Sequence, residues 1–172
     1  KDDNPIGGAS KKECHHGEGA LHRAFSVLLF DTNDRLLVQK RASTKITFPS
    51  IWANTCCSHP LMVSDGEAVA EEPVRSAAIR KMEQELGIPS EISEKWDFRQ
   101  IGKFKYSSRW NSEWIEREID HVLMVRGDAD IKPNLNEVEA FEWLDLDEVG
   151  SMVAQTGRWS EEMVAPWFKA IV

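Results

Sequence analysis

The chain has 172 residues, 41% hydrophobic and 29% charged, enough apolar material for one domain with a sizeable core and too much for a disordered segment. Its 21 basic and 29 acidic side chains leave a net charge of −8, which argues against a protein that tracks nucleic-acid backbone; any phosphate it binds must meet a local positive cluster. No apolar run approaches the roughly 20 residues that cross a bilayer, and the opening KDDNPIGGAS lacks the basic start and apolar centre of a signal peptide.

The chain reads as one domain over residues 1–172, with 1–10 loosely ordered. It opens without Met, which points to trimming and leaves an organellar targeting segment open. The residues HRAFSVLLF, 22–30, run into the turn formers Asp31, Thr32, Asn33 and Asp34, and LLVQKR follows at 36–41; this predicts a β-hairpin. A polar loop containing Pro49 leads to NTCCSHP at 54–60. Cysteines 14, 56 and 57 are odd in number and two are adjacent, a poor disulfide framework, so reduced thiols in a cytoplasmic compartment are expected.

Ser64 with Glu67 resembles a capping box, and Pro73 offers a second start at the first helical position. From there Val74, Ala77, Ala78, Met82 and Leu86 recur at helical spacing and Gly87 supplies a left-handed cap. Strands are expected over 98–106, 115–125 and 138–144, and a short helix from Asp145. The sum is an α+β fold, a mixed sheet with helices packed on it.

In an extended segment residues i and i+2 share a face, so Cys57 and His59 look one way and Cys56 the other, while Glu116 and Glu118 in WIEREID share a face opposite Arg117. His15, His22, His59, Glu116 and Glu118 form a mixed imidazole and carboxylate set suited to a divalent ion such as Zn²⁺, Mn²⁺ or Mg²⁺. A structural zinc site built from the cysteines lacks paired ligand spacing. Trp52, Trp96, Trp114 and Trp143 read as packing residues.

The segments TNTCCSHP, WIEREID, HRAFSVLLF and PWF together resemble the type 1 isopentenyl diphosphate isomerases of the Nudix superfamily, over Lys11 to Trp167. Gly66, Glu72, Arg80, Glu85, Gly87 and Ile88 fall at Nudix-box spacing. Lys81 and Gln84 stand where pyrophosphate-cleaving members carry Glu, which erodes the hydrolytic metal face.

The resemblance implies a Nudix-like sheet sandwiched by helices and a reaction that moves a double bond between isopentenyl and dimethylallyl diphosphate. It implies Cys57 and Glu118 as the acid–base pair, Tyr106 beside Glu118, and Trp167 facing the carbocation with its ring. It also implies His15 rather than His16 among the metal ligands. For the diphosphate it implies Lys11, with Lys12 as substitute, Arg41 making forked contacts, Lys45, Lys81, and Glu85 holding a bridging Mg²⁺. The partner is an isoprenoid diphosphate, with no nucleic acid and no membrane span, and the enzyme is a monomer or weak homodimer. The rival readings are a Nudix-type pyrophosphohydrolase of a small diphosphate and a non-enzymatic zinc module.

Overall fold

Branched and aromatic residues concentrate in the runs that build the central sheet, because their side chains pack well on a pleated, half-buried surface. A computed structural model describes residues 3–64 and 69–172. In chain order the elements are α1 (Lys11–His15), β1 (His22–Phe30), β2 (Leu36–Arg41), β3 (Trp52–Ala53), β4 (Cys56–Ser58), β5 (Met62–Ser64), β6 (Val69–Glu71), α2 (Val74–Leu86), α3 (Ser90–Ser93), β7 (Arg99–Arg109), β8 (Ile115–Arg126), β9 (Val138–Leu144), α4 (Leu146–Val153) and α5 (Pro166–Ile171).

Seven strands form one mixed sheet in the order β3-β2-β1-β8-β7, with β4 also paired to β1 and β9 to β2. Strand β1 runs parallel to β8 from His22↔Glu118 to Phe30↔Arg126 and antiparallel to β4. The expected hairpin is therefore reduced to its mouth: β1 and β2 share only the pair Phe30↔Leu36, and β2 spends the rest of its length on β9. Local turn chemistry fixed the reversal, but β8 and β4 win the edges of β1.

Two apolar clusters cover the two sheet faces. On one, α2 lays Ala77, Ala78, Met82 and Leu86 against Phe25, Leu29 and Leu123. On the other, Val149 and Met152 of α4 and Trp167 and Phe168 of α5 pack on Leu28, Val38 and Leu144. The sheet is thus sandwiched by helices, as the resemblance implies.

Helix α2 starts at Val74, with Pro73 as its cap at ψ 137° rather than inside the first turn. It ends at Gly87 with φ +66°, where an added Cβ would lie 2.5 Å from the Lys132 carbonyl oxygen. Glycine is required there by both conformation and space. Ser64 ends β5, which pairs with β6 (Val69–Glu71); Glu67 and Gly66, and with them the expected capping box, lie outside the described residues. Asp145 caps α4 by accepting from the Glu148 N–H at 2.8 Å. Among the described residues no helix is long and apolar enough to cross a membrane.

Candidate active site and metal centre

Four neighbouring strands, β4, β1, β8 and β7, and one short helix bring the site together. Register places His22 beside Glu118, Tyr106 opposite Glu118, and Cys57 opposite Ser26. Helix α1 has only five residues, and a reciprocal capping box between Ser10 and Glu13 defines its start, so that His15 arrives at its last turn.

His15, His22, His59, Glu116 and Glu118 each offer one ligand atom, and these atoms lie within 4.8 Å of one another. His15 Nε2 is 2.9 Å from Glu116 Oε2, His59 Nε2 is 2.9 Å from Glu118 Oε1, and His22 Nε2 is 3.4 Å from the same oxygen. The remote ring nitrogens are held by backbone: His15 Nδ1 lies 2.7 Å from the Lys11 carbonyl oxygen and His22 Nδ1 lies 2.8 Å from that of Ala20. Because a carbonyl only accepts, Nδ1 carries the proton, which leaves Nε2 as the nitrogen that can face a cation.

The donor set fits a divalent ion. His15 Nε2, His22 Nε2 and Glu116 Oε2 are buried without a hydrogen-bond partner, which is costly unless a cation satisfies them. The 2.9 Å between His15 Nε2 and Glu116 Oε2 is close to the roughly 3 Å expected of two ligands at right angles about 2.1 Å from a shared ion. Burial opposes ionisation of Glu118, yet His22 and His59 hold it well below the usual carboxylate range. Burial pushes His59 down, Glu118 opposing, and His22 and His15 push it further, which keeps a neutral ligand available.

Alternation along β4 separates the adjacent cysteines as expected. Cys56 is fully buried in the cluster under α2, whereas Cys57 packs against the opposite cluster and opens into a pocket with Glu118, Tyr106 and Trp167. Burial pushes the Cys57 thiol up to about 12, with Arg41 opposing; it is a thiol at neutral pH. The Tyr106 hydroxyl donates a hydrogen bond to Glu118 Oε2. Burial, and then Glu118, keep that phenol protonated well above its ordinary range.

Trp167 is 3% exposed, stands edge-on to Phe48 at 5.3 Å, and donates from Nε1 to Asn54 Oδ1 at 3.0 Å. Asn54 in turn donates to the carbonyls of Cys56 and Val27. This asparagine ties the tryptophan to the cysteine segment; the sequence reading passed over it although it sits inside NTCCSHP.

The basic residues converge on the same pocket, which Lys11, Arg41, Lys45, Lys81 and Glu85 all line; Lys12 is exposed. Two of the Arg41 donors face the loop. Its Nε and Nη2 donate to the carbonyls of Phe48 and Thr47 at 2.9 and 2.8 Å, and Nη1 lies 3.8 Å from Cys57 Sγ. The two backbone carbonyls take the donors because Phe48 (φ 48°) and Ser50 (φ 54°) fold the loop back over the guanidinium. Glu85 is buried between Lys81 at 3.1 Å and Gln39 at 3.0 Å. Thr47, Ser58 and Glu137 also line the pocket, and nothing in their spacing announces it. His16 stacks edge-on with Trp114 at 5.4 Å, away from the cluster. A larger groove between α2 and α3 is lined by Arg75, Ile79, Arg80 and Glu94 and holds no thiol or imidazole.

Residues 20–168 match the NUDIX domain. The isopentenyl-diphosphate delta-isomerase of Aspergillus fumigatus is 43% identical over 99% of this chain and 65% of its own length. That of Schizosaccharomyces pombe is 41% identical over 99% of this chain and 76% of its own. The chain therefore spans just under two thirds of the first relative's length. A MutT protein from Methanosarcina mazei superposes with a TM-score of 0.62 at 15% identity, covering 87% of this chain and 88% of the other, which speaks to the fold alone. With the Nudix domain and near-complete coverage by such relatives, the chain belongs to the isopentenyl-diphosphate delta-isomerases of the Nudix superfamily.

Proposed function

We propose that this protein interconverts isopentenyl and dimethylallyl diphosphate. The observation that carries the reading is that Cys57, Glu118, Tyr106 and Trp167 line one pocket together with Lys11, Arg41, Lys45 and Lys81. An alkene is a feeble base, so protonation needs a positioned acid in a site shielded from water. Cys57 enters as a thiol and Glu118 as a carboxylate, which gives one proton to deliver and one site to receive. Because the reaction runs both ways, each group serves as acid in one direction and base in the other.

His15, His22, His59, Glu116 and Glu118 would hold one divalent ion, of Zn²⁺, Mn²⁺ or Mg²⁺ type. When bound, it draws electron density from Glu118 and makes its protonated form a stronger acid towards the double bond. Tyr106 holds the second Glu118 oxygen and orients the carboxylate. The Trp167 face stabilises a tertiary cation through its ring quadrupole. Glu85 would hold a Mg²⁺ that accompanies the diphosphate and offsets its charge, while the lysines and the Nη1 of Arg41 would neutralise the remaining oxygens. Three free cysteines fit the reducing cytoplasmic setting we propose, with the enzyme working as a monomer or weak homodimer.

The test is incubation with isopentenyl diphosphate and Mg²⁺ in D₂O, with products followed by NMR. Deuterated dimethylallyl diphosphate is the expected product. Release of inorganic phosphate instead points to a pyrophosphohydrolase, and an unchanged substrate sinks both.

A further inference from the structure

The pocket's phosphate end carries a carboxylate that the double-bond shift does not use. Glu137 stands one residue before β9 and ion-pairs directly with Lys45; its other oxygen lies 3.9 Å from Lys81 Nζ. Glu85 mirrors it, 3.1 Å from Lys81 and 3.9 Å from Lys45. Two lysines and two glutamates thus form a closed square in which each ammonium is shared.

The square is held by backbone on both sides. The Ala42 N–H donates to the Glu137 carbonyl at 3.0 Å, the Glu137 N–H donates to that of Asn134 at 2.8 Å, and the Lys45 N–H donates to that of Ala42 at 3.1 Å. Thr44 Oγ1 donates to the Asn136 carbonyl at 3.3 Å. Burial works against the Glu137 charge, and Lys45, Lys81 and Lys11 together still hold it low. Arg41 has two donors committed to the loop carbonyls, so Lys45 and Lys81 are the cations a phosphate would need most.

We infer that Glu137 is a specificity-determining carboxylate that makes the site select a cation-complexed diphosphate over a metal-free one. A bare diphosphate must take Lys45 from Glu137 and then face an uncompensated carboxylate across the pocket, which is repulsive in a partly buried site. A diphosphate that already carries a divalent cation presents less negative charge and meets little of that repulsion. The inference rests on the diphosphate reading above and adds a rejection element to it.

The experiment measures calorimetric binding of inorganic diphosphate, in EDTA and in Mg²⁺, to the full chain and to Glu137→Gln. The Glu137 side chain is 30% exposed, so the variant should fold, which its thermal melt checks. Expected is about a tenfold fall in Kd in EDTA, the scale of one partly buried charge, with a much smaller change in Mg²⁺. Glu137→Asp keeps the charge and should keep the wild-type ratio between the two conditions. Equal gains in both conditions, or weaker binding on loss of the charge, would overturn the inference, the latter making Glu137 an orienting partner of Lys45. Neither result touches the isomerase reading, which the D₂O assay on wild-type protein decides separately.

Discussion

Two adjacent cysteines with opposite surroundings show how a single residue's role follows from strand geometry. Cys57→Ala and Glu118→Gln should each abolish nearly all turnover in the D₂O assay with the melting temperature close to wild type. Cys56→Ala should keep activity and lose about 1 to 2 kcal/mol of stability in urea, the scale of a small buried side chain. Inactivity of a folded Cys56→Ala would overturn the facing argument. Trp167→Phe should retain more turnover than Trp167→Leu, since a ring face remains. It also leaves Asn54 Oδ1 unpaired, so it should cost about 1 to 3 kcal/mol of stability; equal kcat losses for Phe and Leu would reduce Trp167 to a packing residue. The thiol–imidazole spacing and the Glu-x-Glu pair were legible as same-face pairs because strand alternation is a purely local rule. Asn54 and Glu137 were not, since their partners Trp167 and Lys45 lie 113 and 92 residues away in sequence.

At the scale of elements, the entry into α2 rests on a forked ion pair. Arg80 Nε and Nη2 donate to Glu72 at 2.9 and 2.7 Å, and Glu72 also accepts from the Leu61 N–H at 3.2 Å. The hydrogen bond from Arg80 holds the Glu72 carboxyl below its ordinary value of 4.5. Its contribution is therefore complete above the unfolded value and is lost as pH falls through the lower folded one. Glu72→Gln should lower stability by about 1 to 2 kcal/mol at pH 7, with the gap closing in urea titrations as pH falls below the unfolded carboxyl's value. A gap that does not change with pH would mean that the backbone contact, not the charge, matters. Helix α2 itself was readable from its apolar period and Gly87. The hairpin was readable only as a turn, because the competition for the edges of β1 is settled by strands β4 and β8, which arrive later in the chain.

For the molecule as a whole, the His/Glu cluster joins α1, β1, β8 and the residue that follows β4, so ligand binding there is coupled to tertiary stability. Chelation should lower the melting temperature by several degrees and raise amide exchange in α1 (Lys11–His15), with Zn²⁺ or Mn²⁺ restoring both in calorimetry and exchange experiments. A melting temperature indifferent to EDTA and to added metal would argue that the cluster holds no ion. The amino-acid order by itself determined β1, β2, β7, β8, β9, α2 and α4, the faces taken by Cys57 with His59 and by Glu116 with Glu118, and the family to which the motifs point, because periodicity and spacing are properties of neighbouring residues. Only the tertiary structure decided that Arg41 clamps a loop, that Glu137 shares the lysines, and that the carboxylates, thiol and tryptophan open into one pocket. Those arrangements depend on contacts between residues far apart in the chain, where register and competing partners, rather than local preference, set the geometry.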